Sequence, residues 1–115
     1  MMGRGGENWM LFKIVTKGYA KEGMSKDEYI NYWLTKHAPL VKRVLGDKLK
    51  KYVVSPVVLA QGEDPGYDGT AELLYETTDD VKTMMSSAPV RQVLADAPNF
   101  NRKVTMVIVE EHTIL

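Results

Sequence analysis

No cysteine occurs in this chain of 115 residues. That absence removes disulfides, thiolate nucleophiles and cysteine-based zinc sites together. Charge of either sign is not in excess either: 15 Lys and Arg balance 15 Asp and Glu, so no net field gathers nucleic-acid phosphates or anionic lipid. No apolar run approaches the roughly 20 residues of a membrane helix. A Gly-x-Gly-x-x-Gly stretch, a phosphate loop and a serine nucleophile elbow are all missing, which argues against nucleotide chemistry. The opening Met1-Met-Gly-Arg-Gly-Gly-Glu7 has no apolar centre of the signal-peptide kind. It reads as a flexible tail over residues 1–8, and a cytoplasmic protein is the expectation. The partners this composition suits are a small, weakly charged molecule and a second copy of the chain, with no nucleic acid and no membrane.

What is present suits one compact domain over residues 9–115, because hydrophobic residues make up 44% of the chain and are spread along it. Residues 9–16 combine apolar, aromatic and β-branched types at strand length. Ser25-Lys-Asp-Glu28 has capping-box spacing and opens a helix. Pro39 lacks an amide hydrogen and restricts Ala38, so the helix is expected to break or kink near His37 and resume with Leu40, Val41, Val44 and Leu45. Residues 52–59 read as a strand that Pro56 confines to an edge or a bulge. A turn leads into a third strand over residues 67–75. Thr77-Thr-Asp-Asp80 caps another helix, interrupted at Ser87-Ala-Pro89 and stopped at Ala97-Pro98. Residues 103–109 form the fourth strand. The resulting order β-α-β-β-α-β is ferredoxin-like: an α+β fold with four antiparallel strands and helices on one face. The first and fourth strands are too apolar for one buried side, so a homodimer through the sheet faces is expected, with a small-molecule cavity between sheet and helices.

His37, one of two histidines, is the candidate catalytic residue. Tyr29, Trp33 and His37 fall at steps of four, which puts them on one inward stripe. An imidazole titrates near neutrality and suits proton transfer in both directions, although a ring that merely satisfies carbonyls freed by Pro39 would explain the same placement. Tyr29, Tyr32 and Trp33 are candidates to line a substrate pocket, one phenol donating to a carbonyl oxygen, with core packing the competing explanation. Glu72 either orients His37 or points to solvent, since alternation opposes it to Leu73. Asp68 and Gly69 fit a turn. His112 fits a dimer rim or an exposed strand end, and no metal site can be assembled around it. Lys42, Arg43, Lys48, Lys50 and Lys51 form the only basic cluster; a substrate carboxylate or phosphate could dock there, but a solvated helix end explains most of it.

Four stretches, Tyr32-Trp-Leu-Thr-Lys-His-Ala-Pro-Leu-Val41, Tyr67-Asp-Gly-Thr-Ala-Glu-Leu73, Asp96-Ala-Pro-Asn-Phe100 and Val109-Glu-Glu-His112, resemble the EthD family. The resemblance implies a dimeric α+β barrel. It also implies cofactor-free chemistry on lactones or aromatic polyketides, as in a methylmuconolactone isomerase and fungal dehydratases. By position, the family histidine of the Trp-x-x-x-His-x-Pro motif is His37. Ser55-Pro56 stands where such proteins often carry further polar or histidine residues, which argues against a two-imidazole site. The expected function is therefore cofactor-independent dehydration, isomerisation or cyclisation in aromatic or polyketide metabolism. A non-catalytic small-ligand binding protein and a cofactor-free monooxygenase of the same fold are the alternatives.

Overall fold

The computed structural model describes residues 11–115. Its elements are β1 Leu11–Ala20, α1 Lys26–Tyr32, a π turn Trp33–His37, α2 Ala38–Leu45, β2 Lys51–Pro56, β3 Gly69–Tyr75, α3 Thr78–Met85, α4 Ala88–Asp96, a 3-10 turn Ala97–Asn99 and β4 Asn101–Glu111. The strands form one antiparallel sheet in the order β2-β3-β1-β4. This is the expected ferredoxin-like α+β arrangement. The tail expected over residues 1–8, and the strand start expected at residues 9 and 10, lie outside the described residues.

Strand alternation sorts the sheet into two faces. Ile14, Ala71, Leu73 and Tyr75 are buried in a single core with Trp33, Val41, Leu45, Val81, Met84 and Val90 of the helical layer. Register places Tyr52 opposite Leu73 and Ile108 opposite Ile14, so these side chains share that face. Val15, Glu72 and Val107 point the other way. Pro56 closes β2, an edge strand, where its missing donor costs no ladder bond.

The first helix begins as the sequence implies. Ser25 Oγ accepts from the Glu28 amide at 3.1 Å, and Glu28 Oε1 accepts from the Ser25 amide at 2.8 Å. Of the break or kink expected near His37, the break does not occur and the irregularity is a π turn over Trp33–His37. His37 and Ala38 both keep right-handed helical backbone, at φ −75° and −61°. A π turn absorbs the proline instead: the Ala38 amide donates to the Trp33 carbonyl, five residues back. The wider turn accommodates a residue with no amide hydrogen, and Pro39 occupies the tolerated first turn of α2. One continuous helical rod with an internal wide turn therefore replaces two rods at a joint.

Close approach of this rod to the sheet depends on Gly18 and Gly69, which face each other across β1 and β3. A Cβ on Gly69 would stand 2.5 Å from Trp33 Cζ3, and one on Gly18 would overlap the Tyr29 hydroxyl. The two glycines make the floor on which the aromatic stripe rests.

Candidate functional site

The inward stripe holds: Tyr29, Trp33 and His37 are all buried. They meet Phe100, which ends the turn after α4. Its ring centroid lies 5.4 Å from Tyr29, 5.8 Å from Trp33, 5.0 Å from Tyr32 and 4.8 Å from His37. Contacts of this kind favour offset and tilted ring pairs and fix ring orientation. The imidazole thus packs against the tilted Phe100 ring.

Its edge is held by Asp96. His37 Nδ1 lies 2.8 Å from Asp96 Oδ2, while Asp96 Oδ1 accepts from the Tyr32 hydroxyl at 2.7 Å and from Asn99 Nδ2 at 3.0 Å. A carboxylate accepts only, so His37 Nδ1 carries the hydrogen and Nε2 is the basic nitrogen of the neutral ring. Burial works to raise the Asp96 pKa, but the hydrogen bonds from His37, Tyr32 and Asn99 together hold it below the ordinary carboxylate value. The same carboxylate, accepting the Tyr32 hydrogen, raises the Tyr32 phenol. In effect, Asp96 is a charged anchor fed by three donors.

His37 and Trp33 line a cavity of about 110 Å³ between the helical layer and the sheet. Ile14, Ala71 and Leu73 form its floor, Val41, Leu45, Met84 and Val90 its roof, and Thr16, Tyr52 and Asn101 add polar atoms. Leu94, Val104 and Met106 line it and are also solvent-exposed, which marks its mouth along β4.

The five candidates from the sequence separate accordingly. His37 and Trp33 are on the cavity wall. Tyr32 stands behind His37, bonded to Asp96. Tyr29 lies beneath, its hydroxyl donating to Asn101 Oδ1 at 2.7 Å, with burial first and Asp68 second raising its phenol strongly. Glu72 is on the opposite face of the sheet, where Lys13 bridges it at 2.6 Å and Glu111 at 2.8 Å; it does not reach His37. Asp68 braces a turn by accepting from the Ala20 amide at 2.8 Å. His112 is exposed beside Glu110 at 2.8 Å. Asp96 and Phe100 were not singled out for chemistry, although both sit in the Asp96-Ala-Pro-Asn-Phe100 stretch. Tyr52 gave no signal beyond being an aromatic residue in a strand. Among the described residues, no three His, Asp or Glu side chains gather to hold a metal ion, and no helix is long and apolar enough to cross a membrane.

The EthD domain model matches residues 21–103. No curated protein sequence matches. A solved EthD-family protein from Bacillus halodurans superposes with a TM-score of 0.75 at 19% identity, covering 89% of this chain and 99% of its own. A hydroxynitrile lyase from Passiflora edulis reaches a TM-score of 0.70 at 11% identity, over 91% and 96% of the two chains. A protein from Thermobifida fusca described as dimeric and ferredoxin-like reaches 0.64 at 14% identity, over 87% and 90%. Likeness at these identities shows the fold.

Proposed function

We propose that this chain, which belongs to the EthD family, is a cofactor-independent enzyme using His37 as general acid and base on a small, largely apolar substrate. One observation carries the reading. His37 lines an apolar cavity while Asp96 engages its Nδ1 at 2.8 Å, so Nε2 is the nitrogen left for a guest. A buried imidazole positioned by a carboxylate accepts a proton and returns it, the requirement shared by dehydration, isomerisation and cyclisation. Trp33 serves as an aromatic wall, and Tyr32 acts through Asp96 instead of touching substrate. The Passiflora lyase on the same fold supports a lyase class for the scaffold. The α-hydrogens of acetophenone provide a test in deuterium oxide, followed by proton NMR. The native chain is expected to accelerate exchange, and His37→Gln, with its fold intact, to lose roughly 10²-fold or more. An unchanged exchange rate in that variant would refute the role.

The same reading includes a homodimer through the outer sheet face. Val15 and Val107 are paired there, Val53 and Leu74 flank them, and Val107 is 56% exposed. That face also carries the Lys13 ion pairs to Glu72 and Glu111, so the part that calls for cover is its apolar strip around Val15 and Val107, and the Thermobifida neighbour is described as dimeric.

A further inference from the structure

The Tyr52 phenol is a polar cavity group that this reading leaves unused, alongside the Thr16 hydroxyl. It projects from β2 on the helix-side face and lines the same cavity as His37. Tyr29 and Tyr32, the phenols nearer to the histidine in sequence, have given their hydrogens to Asn101 and Asp96. Asn101 is committed as well, its amide donating to the Ala97 carbonyl at 3.1 Å. Tyr52 differs: among the described residues none accepts a hydrogen bond from its hydroxyl, so the phenol hydrogen is left for a guest. Burial pushes this phenol up to about 12.

We infer that Tyr52 binds substrate by donating a hydrogen bond to a carbonyl oxygen, and that the substrate class is a neutral carbonyl compound with an apolar body. The inference rests on His37 as the base of the same cavity. A carboxylate guest would find no Lys or Arg on the cavity wall among the described residues, and an unpaired buried charge is strongly disfavoured. A hydrocarbon would leave the phenol hydrogen desolvated and unbonded. A ketone satisfies both walls. Its α-carbon gives a proton to His37 Nε2, the C–H electron pair becomes the enolate double bond, and the charge moves to the oxygen that Tyr52 holds. Return of a proton, or of a deuteron exchanged at Nε2, restores the ketone. The apolar body lies toward the mouth at Leu94, Val104 and Met106.

Infrared spectra of bound acetophenone labelled with carbon-13 at the carbonyl read this contact directly, with ethylbenzene and benzoate as comparison guests. The expected carbonyl band of the native complex lies below its position in hexane. In Tyr52→Phe the band moves back toward the hexane position, and ketone affinity falls about tenfold while ethylbenzene affinity is unchanged. His37→Gln keeps the shifted band. A native band at the hexane position overturns the proposal without any variant. So does a band identical in Tyr52→Phe, or a native chain that binds acetophenone no better than ethylbenzene or benzoate. A native chain that shows the Tyr52-dependent shift but no α-exchange, or a His37→Gln variant that exchanges at the native rate, would refute only the acid and base role of His37. Exchange without that shift would refute only the role of Tyr52.

Discussion

Asp96 concentrates the electrostatics of the site in one side chain. Three donors hold its pKa below the ordinary 3.8 against the opposing effect of burial. Because the folded value is the lower one, the stabilisation is complete above about pH 4 and fades as pH falls through the folded value. Asp96→Asn should flatten this acid limb in thermal melts recorded from pH 3 to 7. At neutral pH it should cost about 1–3 kcal/mol, since an amide can no longer accept from every donor as a carboxylate does. The same variant should slow acetophenone exchange roughly 10- to 100-fold while leaving the Tyr52-dependent carbonyl band in place. His37 and its stripe were legible because they follow from spacing within one helix. Asp96 was not, since its contact with His37 spans 59 residues and arises only when α4 docks beside the π turn. Glu72 shows how far local pattern reaches: alternation opposed it to Leu73, and the sheet places it on the face away from His37.

Among the elements, the first helix joins a conventional start to an unconventional middle. Its capping box satisfies two end groups with two side-chain contacts in solvent. Ser25→Ala should therefore lower stability by about 1 kcal/mol in urea unfolding, with acetophenone exchange per folded molecule unchanged. A larger loss of exchange would mean that the helix start and the site are coupled. The sequence located every strand and helix through alternation, caps and prolines, but it read Pro39 as a break or kink at a joint between two helical pieces. The rule behind that reading concerns a missing hydrogen bond and a crowded carbonyl in an ordinary α turn. A π turn changes which carbonyl faces which amide, so the same proline is accommodated without ending the helix. Nothing in the local sequence distinguishes the two outcomes. The packing of Trp33 on the sheet and of Val41 and Leu45 in the core accounts for the one observed.

For the whole molecule, the outer sheet face sets the expected assembly. Val107→Asp places a charge on that face without touching the cavity wall. Sedimentation should show a dimer for the native chain and a monomer for the variant, with helix content by circular dichroism unchanged. A native monomer at micromolar concentration would remove the sheet-to-sheet dimer from the account. The fold class was readable at this scale because element order alone specifies it, whereas the cavity's polar chemistry depends on residues from separate strands and helices. The π turn has a further consequence. Five residues, Trp33–His37, make the wide turn, so the rod carries a surplus residue relative to ordinary helical counting. The half before it is indexed to the glycine floor of the sheet, and the half after it is indexed to α4. His37 sits where the two indexings meet, so a one-residue deletion there would turn the imidazole by roughly 100° relative to one of them. The helix works as a vernier, and its offset sets the angle at which the imidazole meets the cavity.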